Sequence, residues 1–172
     1  NIIYSIPGLK VHAKIALIER KANAGANHNL AYISTGNFNE KTARIYVDHG
    51  YFSAEPTLVR DITKLFRYLE DQTKKPEFEQ ILVPGFNMVQ TFLALIKREI
   101  DIVKKGGIGY IFLKMNGLED PEMIDALYKA SNNGVKIDII VRGACCLVPG
   151  REYSKNITLR RIIDRFLEHD RL

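Results

Sequence analysis

Three stretches decide the fold: Ile108-Gly-Tyr-Ile-Phe-Leu-Lys-Met115, Asp120-Pro-Glu-Met-Ile-Asp-Ala-Leu-Tyr-Lys-Ala-Ser-Asn-Asn-Gly134 and Val135-Lys-Ile-Asp-Ile-Ile-Val141. The first and third are short runs rich in apolar and β-branched side chains, which suits buried strands. The middle stretch opens a helix with Pro121 in its first turn and stops it at Asn132-Asn133-Gly134. Strand, helix and strand in close succession predict a layered α/β fold with a largely parallel sheet and flanking helices.

Working toward the N-terminus, a long amphipathic helix is expected from about Met88 to Lys105, stopped by Gly106-Gly107. A short strand at Gln80–Val83 is predicted to meet Pro84-Gly85. The polar, proline-containing stretch Gln72–Glu79 marks a boundary between a first domain over 1–75 and a second over 76–172. Before it, Leu58, Ile62, Leu65, Phe66 and Leu69 recur at helical spacing from Pro56 to about Asp71. A strand is expected at Leu30–Ser34, closed by Gly36-Asn37, and Lys21–His28 reads as a polar loop. Between Leu9 and Glu19, apolar Val11, Ala13, Ile15 and Leu17 alternate with Lys10, His12 and Lys14, the pattern of a strand with one buried face. Toward the C-terminus, Arg142–Ser154 reads as a loop. Asn156–His169 has no decisive period, and a helix is its nearest reading.

The 172 residues are 46% hydrophobic and 26% charged, a globular composition that excludes disorder. Ile81-Leu82-Val83 and Ile139-Ile140-Val141 fall far short of the roughly 20 apolar residues of a membrane helix, so no membrane span is expected. Asn1-Ile2-Ile3-Tyr4 does not open a signal peptide. The absence of an initiator Met, and an ending at His169-Asp-Arg-Leu172, suggest a fragment of a longer chain. The net charge is +5; residues 1–76 hold 11 basic and 7 acidic side chains, the remainder 14 and 13. The excess in the first part favours a polyanionic partner. Adjacent Cys145 and Cys146 offer neither a disulfide framework nor metal spacing, and a reduced, cytoplasmic setting follows.

His12-x-Lys14 is the sharpest chemical feature. Residues i and i+2 of a strand share a face, so imidazole and ammonium stand side by side. The cation holds the imidazole neutral and nucleophilic while attracting phosphate. Four residues separate Lys14 from Glu19, and Thr35-Gly-Asn-Phe-Asn39 follows the next strand. This layout resembles the phosphotransfer motif of the phospholipase D superfamily, whose members face two such motifs across one site. Glu168-His-Asp-Arg171 offers the second copy, with Arg171 in place of lysine.

A closer resemblance is carried by Val11-His-Ala-Lys14, Ser34-Thr-Gly-Asn-Phe-Asn-Glu-Lys-Thr-Ala-Arg-Ile-Tyr46, Lys114-Met-Asn-Gly-Leu-Glu-Asp120, Val141-Arg-Gly-Ala-Cys-Cys-Leu-Val-Pro-Gly150 and Ile162-Ile-Asp-Arg-Phe-Leu-Glu-His-Asp-Arg171. They look like the C-terminal half of the bacterial polyphosphate kinases that work through a phosphohistidine. The resemblance implies two phospholipase-D-like α/β halves and reversible transfer of the γ-phosphate of ATP to inorganic polyphosphate. It makes His12 the phosphohistidine, His169 the second catalytic histidine and Lys14 a catalytic residue beside them. Lys14, Asn37, Tyr46, Arg142, His169 and Arg171 would contact ATP or phosphate. Magnesium would enter with ATP, its ligands lying upstream, with no metal site in this chain. ATP, ADP and polyphosphate would be the partners, without nucleic acid. A homo-oligomer is implied for the full-length parent, in the cytoplasm, with association to a membrane surface left open. The isolated chain should be inactive or nearly so. Two departures stand out: Val89 follows Asn87-Met88 where the family often has arginine, and the loop 149–156 is one residue short. The rival readings are a phosphodiesterase of the same superfamily and a non-catalytic module that only binds polyphosphate or nucleotide.

Overall fold

The computed structural model describes residues 2, 8–20, 29–163 and 165–172; the predicted loop Lys21–His28 lies outside them. The first part of the chain forms β1 (Lys14–Ile18), β2 (Leu30–Ser34), α1 (Glu40–Ala43), β3 (Tyr46–Val47), β4 (Gly50–Ser53) and α2 (Pro56–Glu70). The second forms α3 (Met88–Lys104), β5 (Tyr110–Met115), α4 (Pro121–Asn132), β6 (Lys136–Val141), a 3₁₀ turn at Glu152–Ser154, β7 (Ile157–Arg160) and β8 (Leu167–Glu168).

The three stretches that open the sequence analysis become β5, α4 and β6. Asp120 caps α4 by accepting from the Met123 N–H at 2.9 Å, and Pro121 takes the first turn. Gly134 ends it with φ +90°, a left-handed conformation that a side chain would strain. The chain then returns parallel to β5, with Ile111 opposite Ile137 and Leu113 opposite Ile139. Helices α3 and α4 pack on each other and against β5 and β6. Leu127, Ala130, Val135, Ile137, Ile139 and Val141 are almost wholly buried there and form the main core.

The largely parallel arrangement holds for this second sheet, ordered β5-β6-β7. The first sheet, β1-β2-β4, is antiparallel throughout. Helix α2 lies against β1 and β2 and buries Val59 and Ile62 on Ala31. A third, two-stranded parallel sheet joins the two parts: β3 pairs with β8, Tyr46 opposite Leu167 and Val47 opposite Glu168.

Three expectations are corrected. Gln80–Val83 forms no strand, because its backbone donors are taken by side chains. The N–H groups of Glu79, Gln80 and Ile81 donate to Asp61 Oδ2 at 2.8, 2.8 and 3.3 Å, and that of Val83 donates to Asn87 Oδ1 at 2.8 Å. Asn156–His169 contains β7 and β8 rather than a helix. Ile157 pairs beside Ile137, and burial there alternates with the period of a strand. Finally, β1 begins only at Lys14, and Val11 is half exposed, so Val11 and Ala13 do not anchor His12 in the core.

Candidate functional site

Strand alternation explains how the C-terminal Glu168-His169-Asp170-Arg171 is displayed. Successive side chains point to opposite sides, so one face carries Glu168 and Asp170 and the other His169 and Arg171. The acidic face meets Lys114 on β5, whose ammonium donates to Glu168 Oε2 and Asp170 Oδ1, each at 2.6 Å. The basic face turns toward the first half. His169 is 8% exposed and its Nδ1–H donates to Asp48 Oδ1 at 2.7 Å, which leaves Nε2 free. The Tyr46 ring lies 4.9 Å from the imidazole, tilted 49° to it. Arg171 folds back so that its guanidinium donates to the His169 carbonyl at 3.1 Å.

The turn after β2 builds the seat for Asp48. The Thr35 hydroxyl donates to Asp48 Oδ1 at 3.1 Å and accepts from the His49 N–H at 3.0 Å. Gly36 is required by closeness of approach: a Cβ there would meet Asp48 Oδ2 at 2.8 Å. Asn39 is structural, since its side chain caps α1 by accepting from Lys41 and Thr42 N–H groups at 3.0 and 3.1 Å.

His12 and Lys14 stand together, although the strand begins only at Lys14. The Lys14 ammonium lies 3.0 Å from His12 Nδ1 and 3.4 Å from Nε2, and donates to the His12 carbonyl at 2.9 Å. The adjacent ammonium holds the His12 imidazole below its ordinary 6.5; partial burial, Arg171, Lys10 and His169 act in the same direction. Lys14 is itself drawn below its usual value by partial burial and then by Arg171, against the opposing pull of Asp48. His12, Lys14, His169 and Arg171 therefore share one electrostatic neighbourhood. A neutral, exposed imidazole beside fixed cations can act as a nucleophile toward an anionic electrophile.

The other sequence-predicted residues sit farther out. Arg142 follows β6 and is half-buried, and its buried Nε has no hydrogen-bond partner among the described residues. It lines a cavity of about 420 Å³ with Ile45, Ile162, Phe166, Leu167 and Glu168, beside the strand that leads into His169. Asn37 is exposed on the turn after β2, and among the described residues no side-chain bond ties it to the group. Glu19, the acid of the sequence layout, lies five residues beyond Lys14, about 16 Å away along an extended chain. Asp48 is the carboxylate that Lys14 feels instead.

Asp48 and Lys114 escaped the sequence reading. The signal for Asp48 was weak: Tyr46 and Asp48 stand at strand spacing, so an acid shares the face of a site aromatic. Lys114 carried no local signal, because its partners lie 54 and 56 residues away. Among the described residues, no group of three or more His, Cys, Asp or Glu could hold a metal ion. Nor is any helix among them long and apolar enough to cross a membrane.

Comparison with known proteins gives a consistent answer. The family model described as polyphosphate kinase C-terminal domain 1 matches residues 1–75, and that of C-terminal domain 2 matches residues 81–172. The polyphosphate kinase of Prochlorococcus marinus (strain MIT 9313) is 43% identical over the whole of this chain, which covers 24% of that protein. For the Escherichia coli (strain K12) polyphosphate kinase the figures are 40% identity, all of this chain and 25% of the relative. The crystal structure of polyphosphate kinase from Porphyromonas gingivalis superposes with a TM-score of 0.90 at 50% identity, covering 98% of this chain and 28% of that one. The chain thus spans about a quarter of the length of the curated relatives it matches.

Proposed function

Since the chain belongs to the polyphosphate kinase family, we propose that it carries the two histidines of a reversible phosphotransfer site that moves the γ-phosphate of ATP onto polyphosphate. The observation that supports this most directly is the His12 imidazole held neutral against the Lys14 ammonium at 3.0 Å. In this reading a ring nitrogen of His12 attacks the γ-phosphorus. Lys14 contacts Nδ1 more closely, which leaves Nε2 the freer nucleophile. The new P–N bond forms as the bond from phosphorus to the bridging oxygen breaks, and ADP departs. A terminal oxygen of polyphosphate then attacks the phosphohistidine, the P–N bond breaks, and the chain grows by one phosphate.

Phosphoryl transfer depends mainly on positioning and charge neutralisation. Lys14 and Arg171 would supply positive charge to the transferring group. His169, fixed through Nδ1 by Asp48, would present Nε2 to the leaving or entering oxygen. Arg142, with its unpartnered Nε beside a largely apolar cavity, is suited to a nucleotide whose phosphates need a cation. Asn37 and Tyr46 complete the set of ATP or phosphate contacts. Magnesium would enter with ATP.

The test uses the intact parent enzyme with γ-labelled ATP and magnesium, alongside His12→Ala. Acid-labile label on the wild type, absent from His12→Ala and chased onto polyphosphate, is the expected result. Ligand binding without any labelled protein overturns the proposal in favour of a binding module. Release of the label to water, without polyphosphate or ATP as product, overturns it in favour of a phosphodiesterase.

A further inference from the structure

Among the described residues, Lys114 is the basic side chain that contacts both acids flanking His169. Its ammonium, 13% exposed, bridges two carboxylates that flank His169 in sequence, Glu168 and Asp170. Asp170 is 5% exposed and the Glu168 side chain 23%, and two carboxylates held on one cation so far out of water depend on its charge. The same residue is anchored by its backbone: Lys114 N–H donates to the Leu172 carbonyl at 2.9 Å, and Leu172 N–H donates back at 3.0 Å. Burial works against the Lys114 charge, but Asp170 and Glu168 outweigh it and hold the group above its usual 10.5. Asp170 is likewise held below the usual carboxylate value, its burial being overcome by Lys114. His49 also approaches Asp170, its Nδ1 lying 3.5 Å away at an exposed edge.

We propose that Lys114 is the positioning residue for His169, clamping Glu168 at the end of β8 and Asp170 just beyond it so that the imidazole is pressed onto Asp48. The clamp joins the sheet of the second half to a histidine seated on the first. It rests on the reading of His169 as a site residue. Without the ammonium, the two carboxylates repel each other and seek water, which twists the strand and draws His169 off Asp48. An arginine at this position would restore two donors to two carboxylates.

The test reads the His169 ring itself, independently of phosphotransfer. The chain is labelled with ¹⁵N-histidine, and solvent exchange of the His169 Nδ1 proton is followed by NMR, with His169→Gln to assign the signal. Lys114→Met should speed that exchange at least tenfold, and Lys114→Arg should keep it within about threefold of wild type. Amide spectra of β5 and β6 report whether each variant is folded. If Lys114→Met does not fold, Asp170→Asn serves in its place, with an expected acceleration of at least threefold. Wild-type exchange in the folded Lys114→Met variant, or in Asp170→Asn as its substitute, overturns the proposal. Failure of the labelled-ATP experiment leaves this readout untouched, so the two ideas fall separately.

Discussion

The two halves of the molecule are built to different standards. Around β5, β6 and α4, a parallel sheet closes over a core in which Leu127, Val135, Ile137 and Ile139 are at most 1% exposed. Around β1, β2 and β4, the buried core among the described residues is Ala31, Val59 and Ile62, while Phe38, Tyr51 and Phe52 remain at least 60% exposed. Yet His12 and Lys14 stand on the thinly packed half, and so does Asp48, the seat of His169. The difference teaches that the main core and the candidate site have been separated. The second half supplies the well-packed platform, and the candidate site lies where β3 and β8 join it to the first.

Removing volume from each core measures the contrast most directly. Ile137→Ala should cost about 4 kcal/mol, because a fully packed site collapses poorly around the cavity. Urea titration followed by circular dichroism checks it. Ile62→Ala should cost about 3 kcal/mol, with loss confined to signals from β1, β2 and α2. A single shared transition for both variants would break the comparison, since it would make the halves one cooperative unit.

The link between the halves comes next. Asp61 is wholly buried and gathers three backbone N–H groups of the segment that follows α2. Asp61→Ala strands those donors and should cost about 2 kcal/mol. Although burial pushes the Asp61 carboxyl up, bonds from Gln80, Glu79 and Ile81 and from Lys64 hold it below its ordinary 3.8. A depressed folded-state pKa contributes stability above the unfolded value, and that contribution is lost as pH falls through the folded one. Stability should therefore decline below about pH 4 in the wild type and decline less in Asp61→Asn. Equal slopes for the two proteins would remove Asp61 from the account.

A subtler variant is Gly36→Ala, whose new Cβ would press on the Asp48 carboxylate. It should cost about 1 kcal/mol and displace the His169 ring signals, while β5, α4 and β6 keep theirs. The smallest expected effect belongs to Lys14→Gln. Removing the cation that most depresses His12 should raise the imidazole pKa toward 6.5 with almost no change in stability. NMR titration of His12 reads this, and a pKa that stays or falls would show that Lys14 does not tune it.

Much of the scaffold could be read from local pattern. Helices α2, α3 and α4 came from apolar spacing and from Pro56, Gly106 and Pro121, because helical bonds close within a few residues. Strands β2, β5 and β6 were legible as short apolar runs bounded by turns. What escaped were β3, β4, β7 and β8. Two residues at Tyr46–Val47 have no period of their own and become a strand only because Leu167–Glu168 lies beside them. Gln80–Val83 erred in the opposite direction: its apolar run suits a strand, but Asp61 takes its donors first.

The site divides along the same line. The sequence alone brought His12 and Lys14 together, because two residues apart lie within side-chain reach even though the strand begins only at Lys14. It also determined the Gly36 turn and the alternation of acid and base in Glu168-His169-Asp170-Arg171. Only the tertiary structure decided that Asp48 rather than Glu19 meets the candidate site through His169, and that Lys114 contacts Glu168 and Asp170. Those choices depend on which remote segments come within 3 Å of each other. Contact between groups more than fifty residues apart is fixed by packing, which local periodicity does not encode.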